Sequence, residues 1–209
     1  MSDESLLAAW RAGDAVAGRA LVERHLEAVH RFFSNKVAHG TDDLVQKTFL
    51  ACVESVDAFA GRSTFRSYLF AIARHTLFHH WRERHREVDP LTSSAAALLQ
   101  VEHSPADRIA EREDQRLLLR ALRTLPIELQ TLLELAYWEG LGDQELAEVI
   151  EVPAGTVKSR LRKARALLEQ QLAKLAESST LLESSRLTLE AWAAAIRAQT
   201  GIEGEGRRR

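Results

Sequence analysis

The chain has 209 residues, 45% hydrophobic and 28% charged, with a formal net charge of −2 at pH 7, an ordinary balance for a soluble globular protein of one or two domains. A single cysteine, Cys52, excludes an internal disulfide and fits a reducing compartment. No apolar run approaches the roughly 18 residues of a membrane span and no basic-then-apolar leader is present, so no membrane insertion and a cytoplasmic location are expected.

Leu and Ala are abundant, prolines and glycines are few, and no run of alternating β-branched residues argues for strands, so the fold class expected is all-α. Ser2 or Asp3 caps a first predicted helix running to Ala12, before a break at Gly13-Asp14. A second predicted helix spans residues 15–38, with Val22, Leu26, Val29, Phe33 and Val37 as its buried stripe. Gly40 ends it, and Thr41 or Asp42 opens a third helix through Ser55. After the loop DAFAGRS a fourth helix is predicted over 64–86; its apolar segment 65–73 places it in the middle of a bundle. Residues 87–104, with Asp89-Pro90 and small polar residues, read as a linker. Ser104-Pro105 then starts a helix to Thr124, and Pro126 starts another to Trp138. A short helix over 143–150 and a longer one over 154–175 complete a second unit. The expected organisation is a first domain 1–86, a linker 87–104, a second domain 105–176 and a C-terminal extension 177–209. In the extension, Leu189, Trp192, Ala193 and Ile196 recur at amphipathic spacing.

Charge is unevenly spread. Residues 1–60 hold six bases and nine acids, and residues 61–86 six bases and one acid. Residues 131–151 carry six acids and no base, whereas 152–174 hold six bases and one acid. Two basic zones, each ending a helical unit, read either as solvated helix faces or as two surfaces that meet an anionic partner, and their pairing favours the second.

The second zone contains VPAGTVKSRLRKAR, residues 152–165. On a helix, Val157, Leu161, Ala164 and Leu168 make a narrow apolar stripe, while Lys158, Ser159 and Arg162 fall opposite. Arg160 and Arg165 flank the stripe, with Lys163 between Arg160 and Ser159. The preceding short helix and the tight turn at 151–153 complete a helix-turn-helix, whose second helix enters the major groove. Flanking arginines suit phosphates, central Lys and Arg suit guanine acceptors, and Ser159 is short enough for close approach.

GLGDQELAEVIEVPAGTVKSRLRKAR resembles the promoter −35-reading segment of the extracytoplasmic-function (ECF) subfamily of the bacterial sigma-70 family. LRTLPIELQTLLELAYWEG resembles the preceding helix of the same domain. DDLVQKTFLACVESVDAF and STFRSYLFAIARHTLFHHWRERHRE resemble the family's region two, and the likeness covers residues 5–86 and 105–175. It implies a subunit that binds core RNA polymerase, directs it to promoter DNA and helps open the duplex, with no catalytic step, metal or cofactor. An anti-sigma factor is a further partner class that the family implies.

By resemblance, Asp43, Leu44, Gln46 and Phe49 contact core polymerase, although Leu44 and Phe49 read equally well as core by spacing. The loop over 57–64 corresponds to the family's −10 loop, which captures a flipped base. Arg62, Arg66, Tyr68, Arg74, His75, Trp81, Arg82 and Arg84 would serve the melted strand by stacking and positive charge; Trp81 reads alternatively as a cap on the bundle. Lys158, Ser159 and Arg162 align with base-reading positions, and Thr156, Arg160, Lys163 and Arg165 complete the −35 surface. Asp143 and Gln144 would meet phosphates through backbone amides.

Several positions depart from the family pattern. Gly142 stands where Ser or Thr usually caps the helix, and Lys47 replaces a common acid. Glu151 replaces the usual turn glycine, so either the turn differs or it carries left-handed strain of about 1 kcal/mol. His75 and His79 stand where Asn and Asp are usual. With Glu83 they share one helix face, which raises metal ligation as a rival, disfavoured for want of further ligands. The other rival is a helix-turn-helix regulator that never meets polymerase, for which the DDLVQ and FRSYLFAIAR segments have no use. The C-terminal extension reads either as a satellite helix or as a regulatory tail.

Overall fold

The computed structural model describes residues 1–61, 63–84, 93–94 and 113–176. Helix α1, Asp3–Arg11, starts where the Ser2 hydroxyl accepts from the Ser5 N–H, with Asp3 and Glu4 in its first turn and Arg11 in its last, each sign complementing the helix dipole. Asp14 caps α2, Ala15–Ser34, by accepting from the N–H groups of Val16 and Ala17. The expected stripe on α2 is only partly right. Val29, Phe33 and Val37 are buried, but Leu26 is 46% exposed. His25 takes the inward place instead, its Nε2 2.7 Å from the Asp3 carboxylate and its ring 5.5 Å from Phe65. A polar side chain that finds a partner can displace an aliphatic one from a buried face.

Gly18 lies under the Trp10 indole, where an added Cβ would meet ring atoms at 2.7 Å. Gly18→Ala gains about 1 kcal/mol of helix propensity, but the overpacking costs about 1–3 kcal/mol. The expected net result is a destabilised α1–α2 hairpin with a shifted tryptophan emission, readable in a fluorescence-monitored urea titration.

Gly40, at φ 83°, turns the chain into α3, Thr41–Ser55, a backbone conformation that glycine adopts without strain. A 3₁₀ turn, Val56–Ala58, follows, and Arg11 donates to the Val56 carbonyl through Nε at 3.1 Å. Cys52 is buried, and burial pushes its thiol up to about 11, which keeps it protonated at neutral pH. Helix α4, Phe65–Arg84, packs on α1, α2 and α3 and also on the short helix Asp143–Ile150. Its centrality follows from Phe65, Leu69, Phe70, Ala73, Leu77, Phe78 and Trp81, all buried.

Of the expected linker, Ser93 and Ser94 are described. The Ser93 carbonyl accepts from the Ile127 N–H at 3.0 Å and Ser94 bridges to Pro126. The helix expected over 105–124 is described as α5, Glu113–Arg123. Helix α6, Ile127–Tyr137, is buried nearly all round, and its buried residues include Glu128, Gln130, Thr131 and Glu134. Helix α7, Asp143–Ile150, and helix α8, Ala154–Leu175, meet at a turn in which Glu151 has φ 57° and ψ 47°. The turn is therefore the left-handed one that the missing glycine would have made, and Glu151 bears the strain. Helix α8 packs on α5, α6 and α7 through Val157, Leu161, Ala164, Leu168 and Leu172. The C-terminal extension lies outside the described residues, as do Arg62 and the side chain of Arg84.

Candidate nucleic-acid and polymerase interfaces

Burying the expected stripe of α8 turns the opposite side outward. Lys158, Ser159, Arg162, Lys163 and Arg165 are exposed, with Thr156 and Arg160 half-buried. Ser159 Oγ donates to the Thr156 carbonyl at 2.8 Å, which folds the hydroxyl against the helix and keeps the face low. Lys158 Nζ lies 3.9 Å from Asp143, at the start of α7. Gln144 beside it is exposed. Arg165 lies over the Tyr137 ring at 5.3 Å. Arg160 departs from the outward set: its Nη1 bonds Glu128 at 2.7 Å, so it braces α8 on α6. The arrangement leaves the centre of the helix clear to enter a groove.

The second candidate surface is α4 with its preceding loop. Phe59 stacks on Tyr68 at 4.4 Å, and the Tyr68 hydroxyl bonds Ser55 Oγ at 2.5 Å. Phe59, Ser63, Ser67 and Tyr68, with Glu148 of α7, line an open cavity of about 290 Å³. Of the residues expected to serve a melted strand, Arg82 is exposed and Tyr68 half-buried. Trp81 is 1% exposed and belongs to the core, neither a stacking platform nor the cap on the bundle that was its alternative reading. Arg74 is also buried, its guanidinium 4.5 Å from the Phe78 ring centroid. His75 and His79 part company: His75 turns to Glu151 at 3.0 Å and His79 to Glu83 at 3.3 Å. No cluster suited to hold a metal ion occurs among the described residues.

The third surface is α3. Leu44 and Phe49 are 1% and 8% exposed and face the core, so they offer no contact area to a partner. Asp43 and Gln46 are exposed, Asp43 pairing with Lys47 at 2.8 Å. On the same side lie Leu50 and Val53, 56% and 49% exposed. Sequence reading missed these two. The available signal was that Leu44, Val45, Phe49 and Cys52 already supply the inward face, leaving Leu50 and Val53 as surplus apolar residues.

Between the two sets of helices runs a polar seam. Lys36, fully buried, donates to Glu134 and to the Phe32 carbonyl. Gln130 Nε2 bonds the other Glu134 oxygen at 2.9 Å and the Asn35 carbonyl at 3.3 Å. Burial pushes Lys36 down and Glu134 up from their ordinary values, each opposed by the other's charge. Glu139 takes Arg31 at 2.6 Å on one oxygen and Arg66 at 2.7 Å on the other. Arg74 reaches Glu128 at 3.5 Å and Glu151 at 3.6 Å. Thr64 Oγ1 donates to Glu145 at 2.8 Å, and the other Glu145 oxygen accepts the Gly142 N–H at 2.9 Å, capping α7.

Residues 21–87 match the Sigma-70 region 2 family and residues 115–168 the Sigma-70 region 4 family. The chain is 28% identical to the ECF RNA polymerase sigma-E factor of Haemophilus influenzae, over 82% of this chain and 96% of that protein. Identity to the ECF RNA polymerase sigma-E factor of Escherichia coli K12 is also 28%, over 82% and 95% of the two chains. Among solved structures, CnrH in complex with the cytosolic domain of CnrY is similar with a TM-score of 0.61 and 26% identity, covering 84% of this chain and 99% of that one. The sigma factor RpoE of Bartonella quintana, in complex with the anti-sigma factor NepR, has a TM-score of 0.53 at 26% identity, covering 71% and 91%. With two family regions in order, and relatives matched over nearly their whole length, the chain belongs to the ECF subfamily of the sigma-70 family and is an alternative sigma factor.

Proposed function

We propose that this sigma factor acts in the cytoplasm by docking α3 on core polymerase, reading the −35 element with α8 and holding the melted −10 strand on α4 and the loop before it. Residues 1–86 and 105–176 are the two working domains, joined by 87–104. The role is non-catalytic, since it requires binding and strand separation but no bond-forming step. One observation carries the reading: α8 buries a narrow apolar stripe and turns Lys158, Ser159, Arg162 and Lys163 outward together. A buttressing helix of a bundle has no need of that concentration of cations. A groove lined by phosphates and guanine acceptors does. An anti-sigma factor is the expected negative partner, since the similar structure of Bartonella quintana RpoE holds one.

The test is transcription in vitro from a pool of genomic promoters, with sigma-free core polymerase and the purified chain, followed by sequencing of RNA 5′ ends. Chain-dependent starts sharing two upstream elements support the reading; none, with duplex binding intact, leaves a plain DNA-binding regulator. On the promoters found, Arg162→Ala is expected to cost about 1–3 kcal/mol and to relax preference at one base pair. Lys163→Ala is expected to weaken all duplexes alike and to reduce the salt slope by about 1. Duplex titrations at two salt concentrations separate the two effects.

A further inference from the structure

Of the three arginines of α8, Arg162 and Arg165 are exposed and Arg160 is half-buried. Arg160 Nη1 donates to Glu128 Oε1 at 2.7 Å, and Glu128, in the first turn of α6, is 4% exposed. The second Glu128 oxygen is buried with no hydrogen-bond partner among the described residues. Arg74 of α4 lies 3.5 Å from the first oxygen, beyond the usual hydrogen-bond distance. Arg160 is therefore the close cation of this carboxylate. A buried carboxylate deprived of its cation bears the desolvation penalty alone, so Arg160 leaves Glu128 for a phosphate only by stranding a charge in the interior.

The tie acts where apolar packing holds α8 least. The buried side of the helix is the narrow stripe of Val157, Leu161, Ala164, Leu168 and Leu172. Such a stripe presses the helix onto its neighbours but resists rotation about its own axis poorly. Arg160 leaves the flank of that stripe, and its bond to α6 works as a stay against roll. Lys158, Ser159 and Arg162 ride on the outer side of the same cylinder, about 5–6 Å from its axis. A roll of about 10° carries them about 1 Å, enough to spoil the distance and angle of a hydrogen bond to a base edge.

We propose that Arg160 is a positioning residue: paired with the buried Glu128, it fixes the roll of α8 on α6 and so sets the base preference of the −35 reader without itself touching DNA. This rests on the reading of α8 given above. Phosphate contacts supply affinity and salt dependence, whereas base contacts supply preference. Loss of a phosphate contact would weaken every duplex alike and lower the salt slope. Loss of a stay blurs the preference and leaves the slope as it was. Glu128 separates the two roles, because a buried acid on α6 has no access to DNA.

The full chain carrying Arg160→Met, Glu128→Gln or both tests this. Methionine keeps an unbranched apolar stem, and glutamine keeps the shape of the glutamate. The probes are a library of duplexes randomised over one helical turn, sequenced before and after binding, and two of its members titrated by anisotropy at two salt concentrations. Those two are the parent's best duplex and a random one. Each variant is expected to lower the ratio of their affinities about tenfold or more, with the preference flattened where the parent's is sharpest. Both variants lacking Arg160 keep the parental salt slope. The double variant is no worse than the worse single one, since both cut the same link. Partial unfolding would weaken the two duplexes in proportion and leave their ratio unchanged. Where Arg160→Met is too unstable to titrate, the double variant, which strands no carboxylate, gives the slope. A slope reduced by about 1 on loss of Arg160 makes it a phosphate contact and overturns the proposal. A parental preference in Glu128→Gln overturns it too. The α8 reading is tested separately: if Arg162→Ala and Lys163→Ala both leave duplex binding unchanged, that reading falls and takes the proposal with it.

Discussion

Lys36→Met, with Glu134 left in place, is expected to destabilise the chain by about 3–5 kcal/mol, whereas the double variant Lys36→Met/Glu134→Leu is expected to be as stable as the parent or more so. The asymmetry follows from where the pair sits. Lys36 is fully buried and Glu134 nearly so, and neither charge recovers its hydration energy from water. Burial pushes the lysine down and the carboxyl up, so each charge on its own is disfavoured at this site. Their mutual attraction, the Phe32 carbonyl and Gln130 offset that penalty without yielding a surplus. Removing the lysine leaves the carboxylate with the penalty and only the weaker pull of Arg123 and the Gln130 amide against it. Removing both removes the penalty.

The pH dependence gives the check its sign. A carboxyl whose pKa is raised in the folded state binds more protons folded than unfolded, so folding is favoured as pH falls through the raised value towards 4.5. The deficit of Lys36→Met is therefore expected to shrink with acidification. Glu134→Gln leaves a buried ammonium with only the weaker pull of Glu139 against burial, so its folded pKa stays depressed. Its deficit is expected to shrink as pH rises towards 10.5. Urea midpoints for the two single variants and the double, taken across pH, decide the matter. Parallel single-variant curves would show that the pair is solvated and the seam looser than it stands here.

The eight α-helices among the described residues were legible because their signals are local. Asp14 and Gly40 act within a few residues of the boundaries they set, and the apolar stripe of α8 repeats with the helix itself. The reading failed where a distant residue decided the outcome. Leu26 lost its inward place because Asp3, from another helix, offered His25 a partner. Trp81 looked like a stacking platform by its place in the motif, but the packing of the first four helices gave it a core position. Glu151 shows both halves. Its departure from the usual glycine was visible in the sequence, with strain as one of two outcomes, while the left-handed turn itself and the contacts with His75 and Arg74 needed the fold. The seam was present in the sequence only as a charge imbalance. Counting acids in 131–151 marked the imbalance, but nothing in it told that Arg31, Lys36, Arg66 and Arg74 would meet those acids.

Leu50→Gln combined with Val53→Gln is expected to weaken binding to core polymerase by about 30-fold or more while leaving the unfolding free energy within about 0.5 kcal/mol of the parent. Both side chains stand about half exposed on α3, beside Asp43 and Gln46 and away from the buried side formed by Leu44, Val45, Thr48, Phe49 and Cys52. Glutamine retains helix propensity, so the substitution removes apolar contact area without breaking the helix. An exposed apolar pair edged by polar residues is the pattern expected at the centre of a protein contact, where full desolvation makes a few side chains dominate. Leu44→Ala and Phe49→Ala provide the contrast. They open cavities in the core at about 2–5 kcal/mol, and any loss of polymerase binding should follow the unfolded fraction, vanishing at temperatures where the variant is folded. Titration of labelled core polymerase beside thermal melts separates the two behaviours. If the glutamine pair binds core as the parent does, the docking face lies elsewhere on the first four helices, and the exposure of Leu50 and Val53 has no part in assembly.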